Sequence, residues 1–182
     1  MQRATDNLRA DHALTTSAMA VLRAVARQVR AGALFPSADG AVLLRYLREF
    51  VVAVHFRKES ELLGPAAAMY GDEKTAALVG ELMRLQDEAA ELVHSLVLFW
   101  EPEGDLTPPE RDGFTSTVDL LAQRMNRIQE LEEDQLFVTC DRVVPLDDHL
   151  GWLRDFTALE QERGSSATWE PRIRELAARW LR

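Results

Sequence analysis

The stretch HFRKESELL, residues 55–63, places a histidine and a glutamate four residues apart, just before two leucines. Side chains at positions i and i+4 of a helix lie on the same face, one turn apart. His55 and Glu59 continue a stripe that begins with Leu44, Leu47 and Val51, so we expect this face to be buried. A buried charge is costly unless it is hydrogen-bonded or bound to a metal ion. The stretch therefore predicts a polar or metal-binding site inside a helical core.

The composition predicts one soluble, cytoplasmic protein. The chain has 182 residues, 47% of them hydrophobic, which is enough to bury a sizeable core. A net charge of −9 argues against nucleic acid as a partner, because phosphate binding needs clustered Lys and Arg. The single Cys140 fits a reducing compartment. No apolar run reaches the ~20 residues of a membrane helix, so we expect no membrane partner.

Helical periodicity predicts four long amphipathic helices joined by short connections. The first carries a buried stripe from Leu8 to Val29, and the others are expected over residues 39–63, 72–100 and 110–138. Gly64-Pro65 is expected to end the second helix, because proline cannot continue the backbone hydrogen bonds. These features predict an all-α fold: an up-down-up-down four-helix bundle over residues 1–144, with a C-terminal helical extension over residues 145–182 packing on it.

The inward faces of the predicted helices repeat one polar design. Each helix pair directs one polar group from its first helix and two from its second helix into the core. The pattern is His12 followed by His55-x-x-x-Glu59, and then Glu88 followed by Gln129-x-x-x-Glu133. If the register of the last helix shifts by one residue, Glu132 replaces Glu133.

This pattern resembles the hemerythrin-like (HHE) domain family over about residues 5–140. The family arranges its ligands as His, His-x-x-x-Glu, His, His-x-x-x-Glu, and they hold two non-haem irons inside a four-helix bundle. The resemblance implies a metal site and a small ligand such as dioxygen, peroxide or nitric oxide. The implied metal ligands are His12, His55, Glu59, Glu88 and Glu133, with Gln129 as a weak or indirect ligand. Glu88 and Gln129 stand where the family has histidine.

These departures leave several alternatives open. The site could hold one iron or two, and the extra carboxylate should favour the ferric state and harder ions, including Mn²⁺. We therefore expect redox turnover or sensing in place of oxygen transport, with no separate catalytic residue. The alternative is a metal-free bundle that acts as an interaction or regulatory module. The sequence leaves open whether the chain forms a homodimer.

Overall fold

The computed structural model describes residues 2–97, 99 and 105–181, and within these residues the chain is helical and contains no β-strand. Most of the described helical segments are α-helices, and three have π geometry. In chain order they are α1 (Ala4–Arg30), α2 (Ser37–Tyr46), π1 (Leu47–His55), π2 (Lys58–Leu63), α3 (Gly64–Tyr70), α4 (Glu73–Val97), α5 (Pro108–Leu131), π3 (Glu132–Leu136), α6 (Phe137–Val143), α7 (Leu146–Arg163) and α8 (Ser166–Trp180).

Four helical rods form the bundle, and the all-α prediction is confirmed. The first rod is α1 and the third is α4; the second joins α2, π1, π2 and α3, and the fourth joins α5, π3 and α6. The first and fourth rods are antiparallel, since Arg30 near the end of α1 pairs with Asp119, while His12 near its start contacts Glu133. The predicted stripe of α1 is buried from Leu8 to Val29.

The second rod does not end at Gly64-Pro65, so that prediction is wrong. The chain continues as α3 to Tyr70, with Pro65 in the first turn of this helix. The first turn of a helix tolerates proline because its N–H groups lack an intrahelical partner. The preceding π turn closes with a hydrogen bond from the Gly64 N–H to the Glu59 carbonyl. Proline therefore stands where the π geometry gives way to a new α-helix.

The fourth rod begins at a capping box. Thr107 precedes α5, and the Glu110 side chain accepts hydrogen bonds from both the backbone N–H and the hydroxyl of Thr107. Pro108 occupies the first turn of α5, so the helix starts at the Pro108-Pro109 pair, close to the expected start near residue 110. The predicted end of the third helix at Trp100 lies outside the described residues.

The last two helices pack against the bundle. The Trp169 ring of α8 lies 5.9 Å from the Tyr46 ring of α2, and the Trp180 indole N–H donates to Asp39. Phe156 of α7 is buried. The proposed division into two units at residue 144 stays a prediction. None of the described helices is long and apolar enough to cross a membrane.

Candidate metal centre

Four side chains that can ligate a metal ion converge inside the bundle. His12 comes from α1, His55 is the last residue of π1, Glu59 lies in π2, and Glu132 begins π3. One potential ligand atom from each lies within 4.8 Å of the others, and all four residues are buried. Two imidazoles and two carboxylates are a common donor set for iron and related transition metals.

Three of these four residues lie in π-helical segments. A π turn replaces the i→i+4 hydrogen bond by an i→i+5 bond, so it changes the face on which the following side chains lie. Such turns are rare and occur often at functional sites. Here they coincide with His55, Glu59 and Glu132. The helical backbone is therefore irregular where the potential ligands meet.

The distances within the cluster fit ligands that share one ion. His12 Nε2 lies 3.0 Å from Glu132 Oε2 and 3.9 Å from Glu59 Oε1. His55 Nε2 lies 3.5 Å from the same Glu59 oxygen. Ligand atoms that each lie about 2.0–2.2 Å from one metal ion are separated by roughly these distances.

Three buried polar atoms of the cluster make no hydrogen bond of good geometry, although two of them, His12 Nε2 and Glu132 Oε2, lie 3.0 Å apart. The three atoms are His12 Nε2, Glu59 Oε1 and Glu132 Oε2. Buried polar atoms are nearly always hydrogen-bonded, and an unsatisfied one costs about 1–3 kcal/mol. Three such atoms pointing into one small volume are the arrangement that a cation would satisfy together. The residues present therefore fit a metal ion.

Burial of the two carboxyl groups strongly disfavours their ionisation. Burial, and then the charge of Glu132, raises the pKa of Glu59 to about 8. Burial likewise raises the pKa of Glu132 to about 8. A cation between the two carboxylates would reverse this effect, because it neutralises their charges in the low-dielectric interior.

Gln86 of α4 connects the two carboxyl groups. Its amide nitrogen donates to Glu59 Oε2 at 2.8 Å and to Glu132 Oε1 at 3.1 Å. In this orientation the amide satisfies one oxygen of each carboxyl group and leaves the other oxygen of each facing the histidines. Gln86 is 5% exposed. It therefore fixes both potential ligands from the opposite side of the cluster.

A carboxylate lies against the second nitrogen of each imidazole. Glu133 Oε1 is 2.8 Å from His12 Nδ1, and Asp11 Oδ2 is 3.4 Å from His55 Nδ1. When Nδ1–H donates to these oxygens, each Nε2 carries the lone pair that a metal ion needs. Burial opposes ionisation of Asp11, but the hydrogen bond and charge of His55, together with Lys58, outweigh it and lower its pKa.

The structure brings three of the six predicted ligands, His12, His55 and Glu59, into the cluster. Glu133 instead lies beside it, with its side chain 47% exposed, and contacts the Nδ1 atom of His12. Glu132, the neighbour that a register shift would select, occupies the inward position.

Glu88 and Gln129 lie away from the ligand atoms of the cluster. Glu88 is on the surface of α4, where it forms ion pairs with Arg84 and, at 2.7 Å, with Arg124. Gln129 accepts a hydrogen bond from Thr16, and its amide donates to the backbone carbonyl of His12. Both residues lie one or two positions off the buried stripes of their helices. Their assignment as ligands remains a prediction.

The buried residues reveal a better alignment of the internal repeat. Glu59 and Leu63 are buried four residues apart, and so are Glu132 and Leu136. These pairs are equivalent positions of the second and fourth rods. The motif in the fourth rod is therefore aligned on Glu132, one residue before the position that the sequence pattern favoured.

In this alignment the second half of the repeat has lost both histidines. Ile128 lies four residues before Glu132, as His55 lies four residues before Glu59. Gln86 occupies the place on α4 that His12 occupies on α1. Ile128 cannot bind a metal, and the Gln86 amide donates to the carboxyl groups.

A protein-family model matches most of the chain. The Hemerythrin HHE cation-binding domain matches residues 3–140, about three quarters of the chain. No curated protein and no solved structure matches at the significance that the comparisons required. The family and the buried His/Glu cluster together indicate metal binding. The chain belongs to the hemerythrin HHE cation-binding domain family.

Proposed function

We propose that the chain binds one iron ion at His12, His55, Glu59 and Glu132 and that this centre reacts with or senses dioxygen, peroxide or nitric oxide. The observation that carries the proposal is the convergence of three unsatisfied buried polar atoms, one each from His12, Glu59 and Glu132. Water or a neighbouring side chain would satisfy such atoms separately. A cation satisfies them together and offsets the cost of burying two carboxylates.

The loss of the second pair of histidines supports a single ion. A second iron would need donors from Gln86 and from the position of Ile128. The Ile128 side chain has no donor atom, and the Gln86 amide is oriented with its nitrogen toward Glu59 and Glu132. Mn²⁺ is the alternative occupant, since a site with two carboxylates also suits harder ions.

A cavity next to the carboxyl groups supports a small ligand. Its volume is about 10 Å³, close to the least that holds a water molecule. Its lining combines polar residues (Glu59, Ser60, Gln86 and Glu132) with apolar ones that include Val79 and Leu82. A space of this size admits about one water molecule, so it excludes organic substrates and leaves room only for the smallest ligands.

The protein residues around the site have separate roles. An iron ion bound here would supply an open coordination position and a change of oxidation state. Glu59 and Glu132 supply the negative charge, and Gln86 holds their orientation. Phe137 stacks on the His12 ring with centroids 5.4 Å apart, which restricts the ring and keeps water from this face.

The small-ligand proposal is tested with protein loaded with Fe²⁺ under anaerobic conditions and mixed with nitric oxide, dioxygen or hydrogen peroxide. We expect each productive reaction to change the optical absorption of the bound iron. Val79→Ile adds one methylene to the cavity wall, so we expect it to slow the reaction at least several-fold while the iron content stays unchanged. Val93→Ile is the matched control, because Val93 is buried on the same helix and does not line the cavity.

Two results would contradict the proposal. The first is loaded wild-type protein whose absorption does not respond to any of the three ligands. The second is an equal loss of rate in Val79→Ile and Val93→Ile, which would attribute the effect to general overpacking of α4. In the second case the ligand does not reach the iron through this cavity.

A further inference from the structure

A lysine is fully buried next to the candidate metal centre. Lys58 is 0% exposed, and it directly precedes the potential ligand Glu59. The ammonium group lies against the rings of Phe50 and Phe156, 5.7 and 5.3 Å from their centroids. Buried lysines are rare unless they are paired, so this residue needs an explanation that hydrophobic packing does not give.

Three oxygen atoms surround the Lys58 ammonium group. Nζ donates to Asp11 Oδ2 at 2.7 Å, to Asn7 Oδ1 at 2.9 Å and to Glu160 Oε1 at 2.5 Å. These three contacts use all three N–H bonds of the ammonium group. Asp11 is itself 1% exposed, so the pair of Lys58 and Asp11 is an ion pair inside the core.

The same Asp11 oxygen faces the metal centre. Asp11 Oδ2 lies 3.4 Å from His55 Nδ1, while the Nε2 atom of His55 faces Glu59. A carboxylate on the outer nitrogen of a metal-binding imidazole fixes the ring and raises its basicity. Lys58 and His55 both contact this Asp11 oxygen, and Glu160 forms a second ion pair with Lys58. The contacts therefore form a continuous series from Glu160 to His55.

Glu160 reaches this series from α7, beyond the part of the chain that matches the HHE family model. The matched residues are 3–140, and α7 spans Leu146–Arg163. The Glu160 side chain is 19% exposed, so it lies at the edge of the buried network. The appended helix thus supplies a charge to the support of a site that lies in the bundle.

We propose that Glu160 of α7 and Lys58 are positioning residues that set the metal affinity of the centre through Asp11 and His55. The inference rests on the proposed metal site. With Glu160 in place, the three charged residues carry a net charge of −1, and this negative charge strengthens His55 as a metal ligand. Without the Glu160 charge, Lys58 attracts the Asp11 carboxylate more strongly. The contact between Asp11 and His55 then weakens, and His55 becomes a weaker ligand.

The test measures Co²⁺ affinity by competition with a chromophoric chelator, using full-length wild-type protein and three variants. Co²⁺ serves as an air-stable probe for Fe²⁺. We expect Glu160→Gln to weaken binding about tenfold, the lower end of the effect of removing an outer partner of a metal-ligating histidine. Glu160→Asp keeps the charge, so it should recover most of the affinity. Glu162→Gln is the matched control, since Glu162 is an exposed glutamate of the same helix whose ion pair with Arg163 lies outside this network.

A change in fold is separated from a change in positioning by two further measurements. The melting temperature of each metal-free variant reports stability, and the visible absorption bands of bound Co²⁺ report the ligand field. The proposal predicts a shift of these bands in Glu160→Gln but not in Glu162→Gln. Equal affinities and equal bands in wild type and Glu160→Gln would overturn it. Wild-type protein that binds no Co²⁺ and no Fe²⁺ would instead overturn the metal site on which it rests.

Discussion

Replacing Glu132 by Gln removes one of two buried carboxyl groups and leaves the shape of the side chain nearly unchanged. Burial raises the pKa of Glu132 from 4.5 to about 8. In the unfolded chain the group ionises at its ordinary pKa, so between these two values the folded state holds a proton that the unfolded state has lost. The free energy of unfolding of the metal-free protein therefore falls as the pH rises from 4.5 to about 8.

The magnitude follows from this difference in proton binding. Each pH unit in this range costs about 1.4 kcal/mol for one group, so the penalty at pH 7 is at most about 3 kcal/mol. At pH 5 it is below about 1 kcal/mol by the same relation. Because Gln does not ionise, Glu132→Gln should stabilise the metal-free protein by up to these amounts. The variant that weakens metal binding is thus expected to be the more stable one without metal.

The assay is chemical denaturation at pH 5 and pH 7 with a chelator present throughout. Glu130→Gln is the matched control, because Glu130 is a glutamate of the same rod whose side chain is 66% exposed and lies outside the cluster. We expect its effect to be small and nearly independent of pH. A Glu132→Gln protein that is less stable than wild type at pH 7, or whose advantage does not grow between pH 5 and pH 7, would refute the reasoning.

Three other predictions follow from the same contacts. Metal affinity should rise with pH up to about 8, by about tenfold per pH unit for each proton that Glu59 and Glu132 release on binding. Competition titrations at several pH values measure this dependence. A metal affinity that does not change with pH below 8 would contradict the raised pKa values. Lys58→Met should lower the free energy of unfolding by about 3–5 kcal/mol, because it leaves Asp11 buried without its ion-pair partner. A free energy of unfolding within about 1 kcal/mol of the wild-type value, measured by chemical denaturation, would show that the ion pair does not stabilise the fold. Gln86→Leu should weaken metal binding and shift its pH dependence, because Glu59 and Glu132 each lose a hydrogen bond. A metal-binding curve identical to that of wild type, measured by chelator competition, would contradict the role of Gln86 in holding these carboxyl groups.

The first half of the site could be predicted from the sequence because its residues lie on regular stripes. His12 falls on the seven-residue repeat of α1, and His55 and Glu59 continue the stripe of the second rod. The hydrophobic neighbours on each helix are numerous enough to fix the inward face. Where the spacing of apolar residues is unambiguous, a polar residue on that face stands out.

The buried face of the third rod is centred beside the one that the sequence pattern predicts. The sequence pattern placed Glu88 on the inward stripe, but the buried stripe of α4 includes Val79, Leu82, Ala89 and Val93, with Gln86 between them. These apolar residues follow a spacing of three and four residues that runs through position 86 and misses position 88. A glutamine on this stripe was therefore a detectable signal. The sequence pattern favours Glu88 because a carboxylate is a stronger metal ligand than an amide.

The register of the fourth rod was ambiguous for a physical reason. Ile128 is apolar and buried, and a spacing of four from it leads to Glu132. Counting backwards from the apolar pair Leu136 and Phe137 favours Glu133 when the helix is assumed to be regular. The π segment at Glu132–Leu136 changes the number of residues per turn at this point, so a fixed period cannot match both sides.

The contact between Lys58 and Glu160 could not be predicted from local patterns. It depends on how α7 lies against the second rod, and nothing in the periodicity of either segment specifies that arrangement. Lys58 is visible in the sequence between Arg57 and Glu59, but its partners are not. Long-range ion pairs of this kind follow from tertiary packing.

The metal content of the protein tests the central claim most directly. Wild-type chain is reconstituted anaerobically with Fe²⁺, desalted and measured by elemental analysis, alongside Glu132→Gln and Glu133→Gln. The account predicts one iron per chain in wild type, a large loss in Glu132→Gln and a smaller loss in Glu133→Gln, which removes only the carboxylate charge against His12 Nδ1. Folded wild-type protein without iron, or equal iron in wild type and Glu132→Gln, would contradict a centre built from His12, His55, Glu59 and Glu132.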